Sequence, residues 1–450
     1  EMRITIPEYV NRIIDALNSS GHKAFLVGGC VRDSILGKVP ADYDIATSAA
    51  PAQMESVFRN WRTFEPGRIF GTISVVQEEG IVEVTAFRKD IGYSDGRRPD
   101  RVEFTTDLIE DLKRRDFTIN AMAYSHSTGI IDPFGGKKDI EMRLIRCVGD
   151  PMERLNEDYL RILRAVRFAA QLNFSIEIST ADACTKLSSG LDKVSVERIR
   201  EELFKILLTD KPSEGFLIMR SLGILKEVIP ELIPAIGFDQ RNPHHDRSVF
   251  QHTLTVLDNT PPVLHLRLAA LLHDIGKPYT FSIDEYGVGH FYGHDRMSVR
   301  IGKEFMLRLK CSTELMEKTL NLVKEHMVHH PDLRKKGLKR QLQRVGSENI
   351  YHLIDLQIAD KLSKKGKKDI TKLLEKKTVI GEILDAGEPF KKGHLAVNGN
   401  DLKAAGYKEG KIIGKLLEYL LNCVLEQPEL NNRESLMGIL LDIYPPDSVE

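Results

Sequence analysis

Cysteine is scarce and unpaired in this chain. The five cysteines (Cys30, Cys147, Cys184, Cys311 and Cys423) form no C-x-x-C pair, which argues against a zinc ribbon or a disulfide framework and for reduced thiols in a cytoplasmic protein. Long apolar runs are missing: none approaches the ~20 residues of a membrane helix, and no signal-peptide pattern opens the sequence, so no membrane partner is expected. Excess charge is missing as well. With 64 Lys+Arg against 65 Asp+Glu, net charge −1, the chain is no polycation, and any nucleic-acid site must be a local basic patch. There is no internal repeat and no long low-complexity linker. At 450 residues the chain outgrows a single core, and three or more domains are expected. Nothing in the sequence speaks to oligomeric state.

The chain divides by texture. Residues 6–20 read as an amphipathic helix, with Ile6, Val10, Ile13, Ile14 and Leu17 at helical spacing. "HKAFLVGGCVRDSILG" (22–37) runs from a strand through a Gly-Gly turn into a helix. "GTISVV" (71–76) and "IVEVTAF" (81–87) alternate like paired strands. Residues 88–107, with "YSDGRRPD", read as a loop. From about residue 151 the texture is helical almost throughout. The fold class is therefore α+β, a small mixed-sheet head followed by a long all-α remainder.

In "PADYDIATS" (40–48), Asp42 and Asp44 fall on one face of an extended strand. Two such carboxylates suit one or two Mg²⁺ ions bridging to substrate phosphates, and Glu83 in "IVEVT" could close the site as a third. They also read as solvated strand acids. The Gly28-Gly29 turn lets a backbone approach a phosphate, with Arg32 adding charge, though such a turn is often only a turn. Together these residues suit phosphoryl or nucleotidyl transfer with Mg²⁺ and a nucleoside triphosphate. "LKRRDFTINAMAY" (112–124) sets Arg114, Arg115 and Asp116 before an apolar, helix-like run. "NEDYLRILRAVRFAAQL" (156–172) spaces Asp158, Arg161, Arg164 and Arg167 three apart, as on one helix. By itself that is a surface helix with an Asp–Arg pair.

"FLVGGCVRD", "ADYDIATSAAP", "VEVTAFRKD", "YSDGRRPD", "IEDLKRRDFTINAMAY", "IDPFGGKKDI" and "EDYLRILRAVRFA", in this order, resemble the signature segments of class II tRNA nucleotidyltransferases. These are the CCA-adding enzymes, related to bacterial poly(A) polymerases. The likeness continues through "VSVERIREELFKIL" (194–207) and resumes at "GHLAVNGNDL" (393–402). It implies a nucleotidyltransferase head (1–150), a neck that recognises the base (151–215), a helical body (216–380) and a helical, tRNA-binding tail (381–450). It implies Mg²⁺ on Asp42 and Asp44, with Glu83 as third carboxylate, and a triphosphate held by Gly28, Gly29 and Arg32. Arg115 and Asp116 match residues that grip sugar and phosphates. Asp158 and Arg161 match the pair that reads the base, and Arg164 and Arg167 match nearby nucleotide-binding positions. The substrates implied are CTP, ATP and the tRNA 3′ end.

Base reading by Asp and Arg has a physical basis. Cytosine and adenine both offer an amino donor beside a ring-nitrogen acceptor; uracil and guanine present the opposite order. A carboxylate beside a guanidinium thus accepts CTP and ATP and leaves buried groups unpaired with UTP or GTP. The segment "RKDIGYSDGRRPDRVEF" (88–104) is full length, against CC-only addition, and "PGRIFGTISVV" (66–76) is closer to the CCA type than to poly(A) polymerase. A-only addition stays open.

A second constellation lies in the body. "NPHHDRSVFQHTL" (242–254), "LRLAALLHDIGKP" (266–278), "YGHDRMS" (292–298), "VKEHMVHH" (323–330) and "LQIADKL" (356–362) resemble an HD phosphohydrolase domain over about 240–365. The resemblance implies metal ligands His252, His273, Asp274 and Asp360, with His294 and His326 for a second metal or a phosphate. Imidazole with carboxylate suits Mn, Ni, Fe, Zn or Co. Phosphatase or 2′,3′-cyclic phosphodiesterase action on RNA ends is implied. An HD hydrolase whose head only binds RNA is the reading of another class. Two basic stretches, 332–344 and 361–377, read either as backbone contacts to tRNA or as solvated helix faces.

Overall fold

A computed structural model describes residues 3–67, 71–92, 100–241, 248–366 and 368–446. The chain divides into two compact units, Glu1–Pro230 and Glu231–Glu450.

The first unit is built on a seven-stranded mixed sheet of order β3-β4-β5-β2-β1-β8-β9. Its strands are β1 (Ala24–Val27), β2 (Asp44–Thr47), β3 (Thr63–Gly67), β4 (Thr72–Val76), β5 (Ile81–Ala86), β8 (Ala123–Ser125) and β9 (Gly129–Ile131). Strand β1 lies between β2 and β8, and all four of its apolar residues are buried, as a central strand requires. β5 alternates, with Val82, Val84 and Ala86 inward and Glu83 outward. The sheet core gathers Phe25, Val27, Ala46 and Phe87 with Leu108 and Leu112. Helix α1 (Glu8–Ser19) buries the expected stripe of Val10, Ile13, Ile14 and Leu17. Helices α2 (Gly29–Ile35), α3 (Pro51–Val57), α4 (Leu108–Lys113) and α5 (Gly136–Glu141) complete this part.

Two local expectations are corrected here. Residues 88–107 are not simply a loop: β6 (Arg88–Ile91) and β7 (Arg101–Phe104) pair antiparallel, and the turn formers at 93–99 lie outside the described residues. An Arg88 backbone N–H bonded to buried Asp111 ties the hairpin base to α4. The apolar run after Asp116 is not helical either. It makes one 3₁₀ turn, Thr118–Asn120, then enters β8, because Ala123 and Tyr124 must pair with β1 to finish the sheet.

Helices α6 (Pro151–Glu157), α7 (Leu160–Leu172), α8 (Ile178–Leu187), α9 (Val196–Leu207), α10 (Pro212–Ser221) and α11 (Leu225–Val228) close the first unit, with a short parallel pair, β10 (Leu144–Ile145) and β11 (Ser175–Ile176). The second unit is helical: α12 (Val249–Asp258), α13 (Leu264–Leu272), α14 (His294–Arg308), α15 (Thr313–Glu325), α16 (Lys335–Val345), α17 (Ile350–Leu362), α18 (Thr371–Asp385), α19 (Gly399–Ala404), α20 (Lys411–Glu426) and α21 (Arg433–Ile443). One hairpin, β12 (Ser282–Ile283) with β13 (Gly289–His290), interrupts it. A separate core near the C-terminus gathers Leu402, Tyr407, Leu420, Val424 and Leu436. No described helix is long and apolar enough to cross a membrane.

Candidate functional site

Strand register brings the head carboxylates together. β2 and β5 run parallel with Asp44 directly opposite Glu83, so their side chains share one face of the sheet. Asp42, two residues ahead, joins them along a cavity of about 730 Å³. Burial pushes the Asp44 carboxyl up to about 6; Glu83 and Asp42 push the same way, and Arg115 opposes them. Among the described residues none of the three carboxylates has an ion-pair partner. An all-oxygen set, with burial and neighbouring carboxylates disfavouring the charge on Asp44, fits a hard divalent cation.

The opposite wall is cationic. Gly28 and Gly29 turn β1 into α2, with Gly28 at φ +75°. A Cβ on Gly28 would meet Arg115 Nη1 at 2.9 Å, so the glycine leaves room for that guanidinium. Arg32 Nη1 donates to Asn120 Oδ1 at 2.7 Å; Asn120 in turn donates to Asp116, which accepts from Arg164 Nε at 2.7 Å. Burial alone would raise the Asp116 carboxyl, but Arg164 and Arg161 hold it at about 2. Arg167 donates to Glu202 at 2.6 Å. Phe168 supports three of these cations, with Arg167, Arg32 and Arg164 at 4.0, 5.1 and 5.3 Å from its ring centre. Asp42, Asp44, Glu83, Gly28, Gly29, Arg32, Arg115, Asp116, Asp158, Arg161, Arg164 and Arg167 all line this one cavity.

The expected Asp158–Arg series on one helix is corrected. α6 stops at Glu157, Asp158 is extended (φ −150°, ψ 103°), and its Oδ1 accepts from the Leu160 backbone N–H where α7 begins. A carboxylate that caps a helix start satisfies an otherwise orphaned amide, so the break is local chemistry. Asp158 pairs not with Arg161 but with Arg198, through two bonds of 2.7 and 3.1 Å. Arg161 instead pairs with Glu157 at 2.5 Å. Arg198 and Glu202 were missed as site residues, although their i, i+4 spacing in "VERIREEL" puts them on one face of α9. Asn120 and Phe168 were missed too; nothing in their local pattern marks them.

In the second unit six predicted residues converge. His252 comes from α12, His273 and Asp274 from the end of α13, His294 from the start of α14, His326 from the end of α15 and Asp360 from α17. Asp274 Oδ2 lies 3.5 Å from His252 Nε2 and 3.2 Å from His273 Nε2. Its other oxygen lies 3.4 Å from His294 Nε2 and 3.9 Å from His326 Nε2. Asp360 Oδ1 is 3.0 Å from His252 Nε2. His273, His294 and His326 each direct Nδ1 at a backbone carbonyl, of Ala270, Phe291 and Val323, so each presents Nε2 to the centre. Two triads, His252–His273–Asp274 and Asp274–His294–His326, hold their donor atoms within 4.8 Å. The buried His273 Nε2 makes no well-directed hydrogen bond, although Asp274 Oδ2 lies 3.2 Å away. That weakly bonded nitrogen and the mixed N/O set fit a transition metal, with Asp274 placed between two ion positions. Burial pushes His326 down to about 3, whereas Asp274 and Asp360 hold His273 above its usual range against burial. Lys277 and Lys364 reach Asp274 and Asp360 at 2.8 and 2.5 Å.

The basic stretches are largely spoken for. In 332–344, Lys335 and Lys339 pair with Glu388, Lys336 with Glu426 and Arg344 with Glu325. In 361–377, Lys364, Lys372 and Lys377 are paired and Lys376 is buried. Lys361, Lys365 and Lys368 have no ion-pair partner among the described residues.

Three family models match in order: "Poly A polymerase head domain" over residues 24–146, "Probable RNA and SrmB- binding site of polymerase A" over 173–236, and "HD domain" over 245–365. A CCA-adding enzyme of Lactiplantibacillus plantarum is 33% identical over 436 residues, covering 94% of this chain and 93% of that protein. One from Lactobacillus johnsonii is 32% identical over 434 residues, covering 94% of each. The crystal structure of the Bacillus stearothermophilus CCA-adding enzyme in complex with CTP superposes with TM-score 0.76 at 26% identity, covering 97% of this chain and 98% of that one.

Proposed function

The chain belongs to the CCA-adding enzyme family of nucleotidyltransferases, and from that membership we propose that it adds C, C and A to tRNA 3′ ends from CTP and ATP, releasing pyrophosphate without a nucleic-acid template. One observation carries the assignment of the site: Asp42, Asp44 and Glu83 face a wall of guanidiniums across one cavity large enough for a nucleoside triphosphate. Asp42, Asp44 and Glu83 would hold Mg²⁺. Mg²⁺ bound there supplies a lowered pKa for the attacking hydroxyl and neutralises charge on the departing pyrophosphate. Arg32 and Arg115 bind the triphosphate beside Gly28 and Gly29. Asp116, kept ionised by Arg164, accepts from the sugar. Asp158 retains free lone pairs while held by Arg198, so it can accept from the amino group of cytosine or adenine. Arg161 donates to the ring nitrogen after sharing its bond with Glu157. Arg164 and Arg167 border the same base.

The parts we assign are a head (1–150), a neck (151–215), a body (216–380) and a tail (381–450). We assign tRNA backbone contact to the tail with Lys361, Lys365 and Lys368. The cytoplasm is the proposed compartment, supported by five free cysteines. The second unit is proposed to hydrolyse phosphoesters at RNA ends. His252, His273, Asp274 and Asp360 would hold one transition-metal ion, and His294 and His326 a second.

The test is incorporation from CTP alone, ATP alone or both into tRNA transcripts that lack CCA, end in C or end in CC. Completion of all three is expected. Growth of the CC-ended transcript alone, by one A, would make this an A-adding enzyme.

A further inference from the structure

The small cavity of the second unit, about 260 Å³, opens beside a feature that metal ligation does not use. Residues 289–292 lead from β13 towards α14. Phe291 packs against Phe281 at 5.5 Å, which itself packs against Phe238 at 5.3 Å. Its neighbours take the other side. The His290 and Tyr292 rings lie face to face, 5.3 Å apart and within 8° of parallel. Tyr292 is 79% exposed, yet both residues line the cavity that Lys277 and Lys364 also line.

His290 and the backbone that carries Tyr292 are held in place. His290 Nε2 is 2.7 Å from Asp284 Oδ2. Gly289 donates to the Arg241 carbonyl, and a Cβ at Gly289 would meet the Gln240 carbonyl oxygen at 2.2 Å, so the strand sits hard against that segment. The Phe291 carbonyl lies 2.8 Å from His294 Nδ1. The outward ring is thereby registered, two residues away, to an imidazole that faces the metal-binding centre.

We propose that Tyr292, backed by His290, is a nucleobase platform. On this assignment the second unit takes the phosphate of a single-stranded RNA 3′ end, with the terminal base unstacked from its neighbours and laid on Tyr292. The inference rests on the reading of this cavity as a phosphoester site, and deepens it. Three features favour a nucleotide. Lys277 and Lys364 border the cavity, and each would be freed to meet a phosphate where a metal ion takes up its present partner, Asp274 or Asp360. The volume takes a phosphate and a sugar and leaves the base at the mouth. A flat, rigid aromatic face outside a cationic groove is how unpaired bases are held without sequence preference. A duplex end offers no free base to this ring.

The test uses the full chain loaded with Mn²⁺. Adenosine 3′-phosphate and the base-free ester glycerol 2-phosphate are compared as substrates. Tyr292→Ala should raise KM for adenosine 3′-phosphate on the order of tenfold. Its kcat, its metal content and its KM for glycerol 2-phosphate should not move, and Tyr292→Phe should restore the low KM. Photolabelling with 8-azidoadenosine 3′-phosphate should mark the peptide carrying His290 and Tyr292. An unchanged KM in Tyr292→Ala, an equal rise for both esters, or labelling confined to the first unit would overturn the platform while leaving the phosphoester site intact. If the wild-type protein hydrolyses neither ester, the phosphoester reading falls and the platform falls with it.

Discussion

In the first unit's cavity every lining arginine is met by an acid: Arg164 by Asp116, Arg167 by Glu202, Arg198 by Asp158, Arg161 by Glu157, Arg32 by Asp33, and Arg114 and Arg115 together by Asp111. Asp42, Asp44 and Glu83 are left without an ion pair among the described residues. In the second unit's histidine cluster neither carboxylate is left over. Asp274 and Asp360 sit among imidazoles and are each reached by a lysine within 2.8 Å. The first arrangement keeps uncompensated negative charge in an open cavity, suited to a hard cation that arrives and leaves with a nucleotide. The second is a buried, mutually compensated nitrogen and oxygen set, suited to a resident ion of the later transition series. On the proposed assignments, one chain would carry two metal chemistries, separated by donor type rather than by affinity for one ion.

The sharpest way to break this comparison is to cross it. Asp44→Ala should lower nucleotide incorporation by about 10³-fold, in line with the several kcal/mol a catalytic metal contributes, and leave phosphoester hydrolysis intact. His273→Ala should do the reverse. If either substitution silenced both activities, the two sites would not be independent. A smaller effect is expected from Asp116. Arg164 and Arg161 hold its carboxyl at about 2, below the ordinary aspartate value of about 3.9. The stabilisation is therefore fully present above the unfolded pKa and is lost as pH falls through the folded one, which places the loss between about pH 4 and 2. The size is about 2 kcal/mol. Chemical denaturation across that window should show the wild type converging on Asp116→Asn as the pH falls; parallel curves would remove Asp116 as the source.

How much of this was legible follows the range of each interaction. The pair of carboxylates was readable but not its geometry: β2 begins only at Asp44, and Asp42 lies in the bend before it, so the cavity and not strand alternation brings them together, whereas β4–β5 pairing was readable from two alternating runs. The opposition of Asp44 and Glu83 was not, since parallel register is set by the sheet and not by either strand. The histidines of the second unit were readable as a set by resemblance, whereas the division of Asp274 between two triads needed its two oxygens in space. The Asp158 series failed because helical spacing ignores a side chain's option to cap the next helix. The basic stretches were half legible for a similar reason: their charge was readable, the acids that neutralise much of it were not. Lysine counts cannot show that Glu388, 49 positions or more away in sequence, neutralises both Lys335 and Lys339.

Arg198 sharpens the comparison within the first unit. If its two bonds to Asp158 fix the carboxylate that reads the base, Arg198→Ala should lower discrimination of CTP over UTP by about tenfold, the scale of one misplaced polar contact. The measurement is the ratio of kcat/KM for the two nucleotides on a tRNA lacking CCA. An equal fall for both, with the ratio kept, would make Arg198 a structural support for α9 alone.

The mildest test uses the cysteines, which divide between the units. Cys30, Cys147 and Cys184 are buried in the first, and Cys311 and Cys423 are partly exposed in the second. Burial pushes the Cys30 thiol up to about 11 and the Cys147 thiol up to about 12, and it raises Cys184 as well. Only the thiolate attacks a disulfide reagent, so these three should be silent at pH 8 in the native protein and react on unfolding. Two fast thiols per chain are therefore expected with Ellman's reagent. Cys30 adjoins the Gly28-Gly29 turn and donates to the Val27 carbonyl, so it samples any opening of the cavity wall. If Cys30 reacts slowly in the free protein and more slowly with CTP and Mg²⁺ present, the turn moves and the nucleotide holds it. If its rate ignores the nucleotide, the turn is rigid before substrate arrives, and the first cavity is as pre-formed as the second.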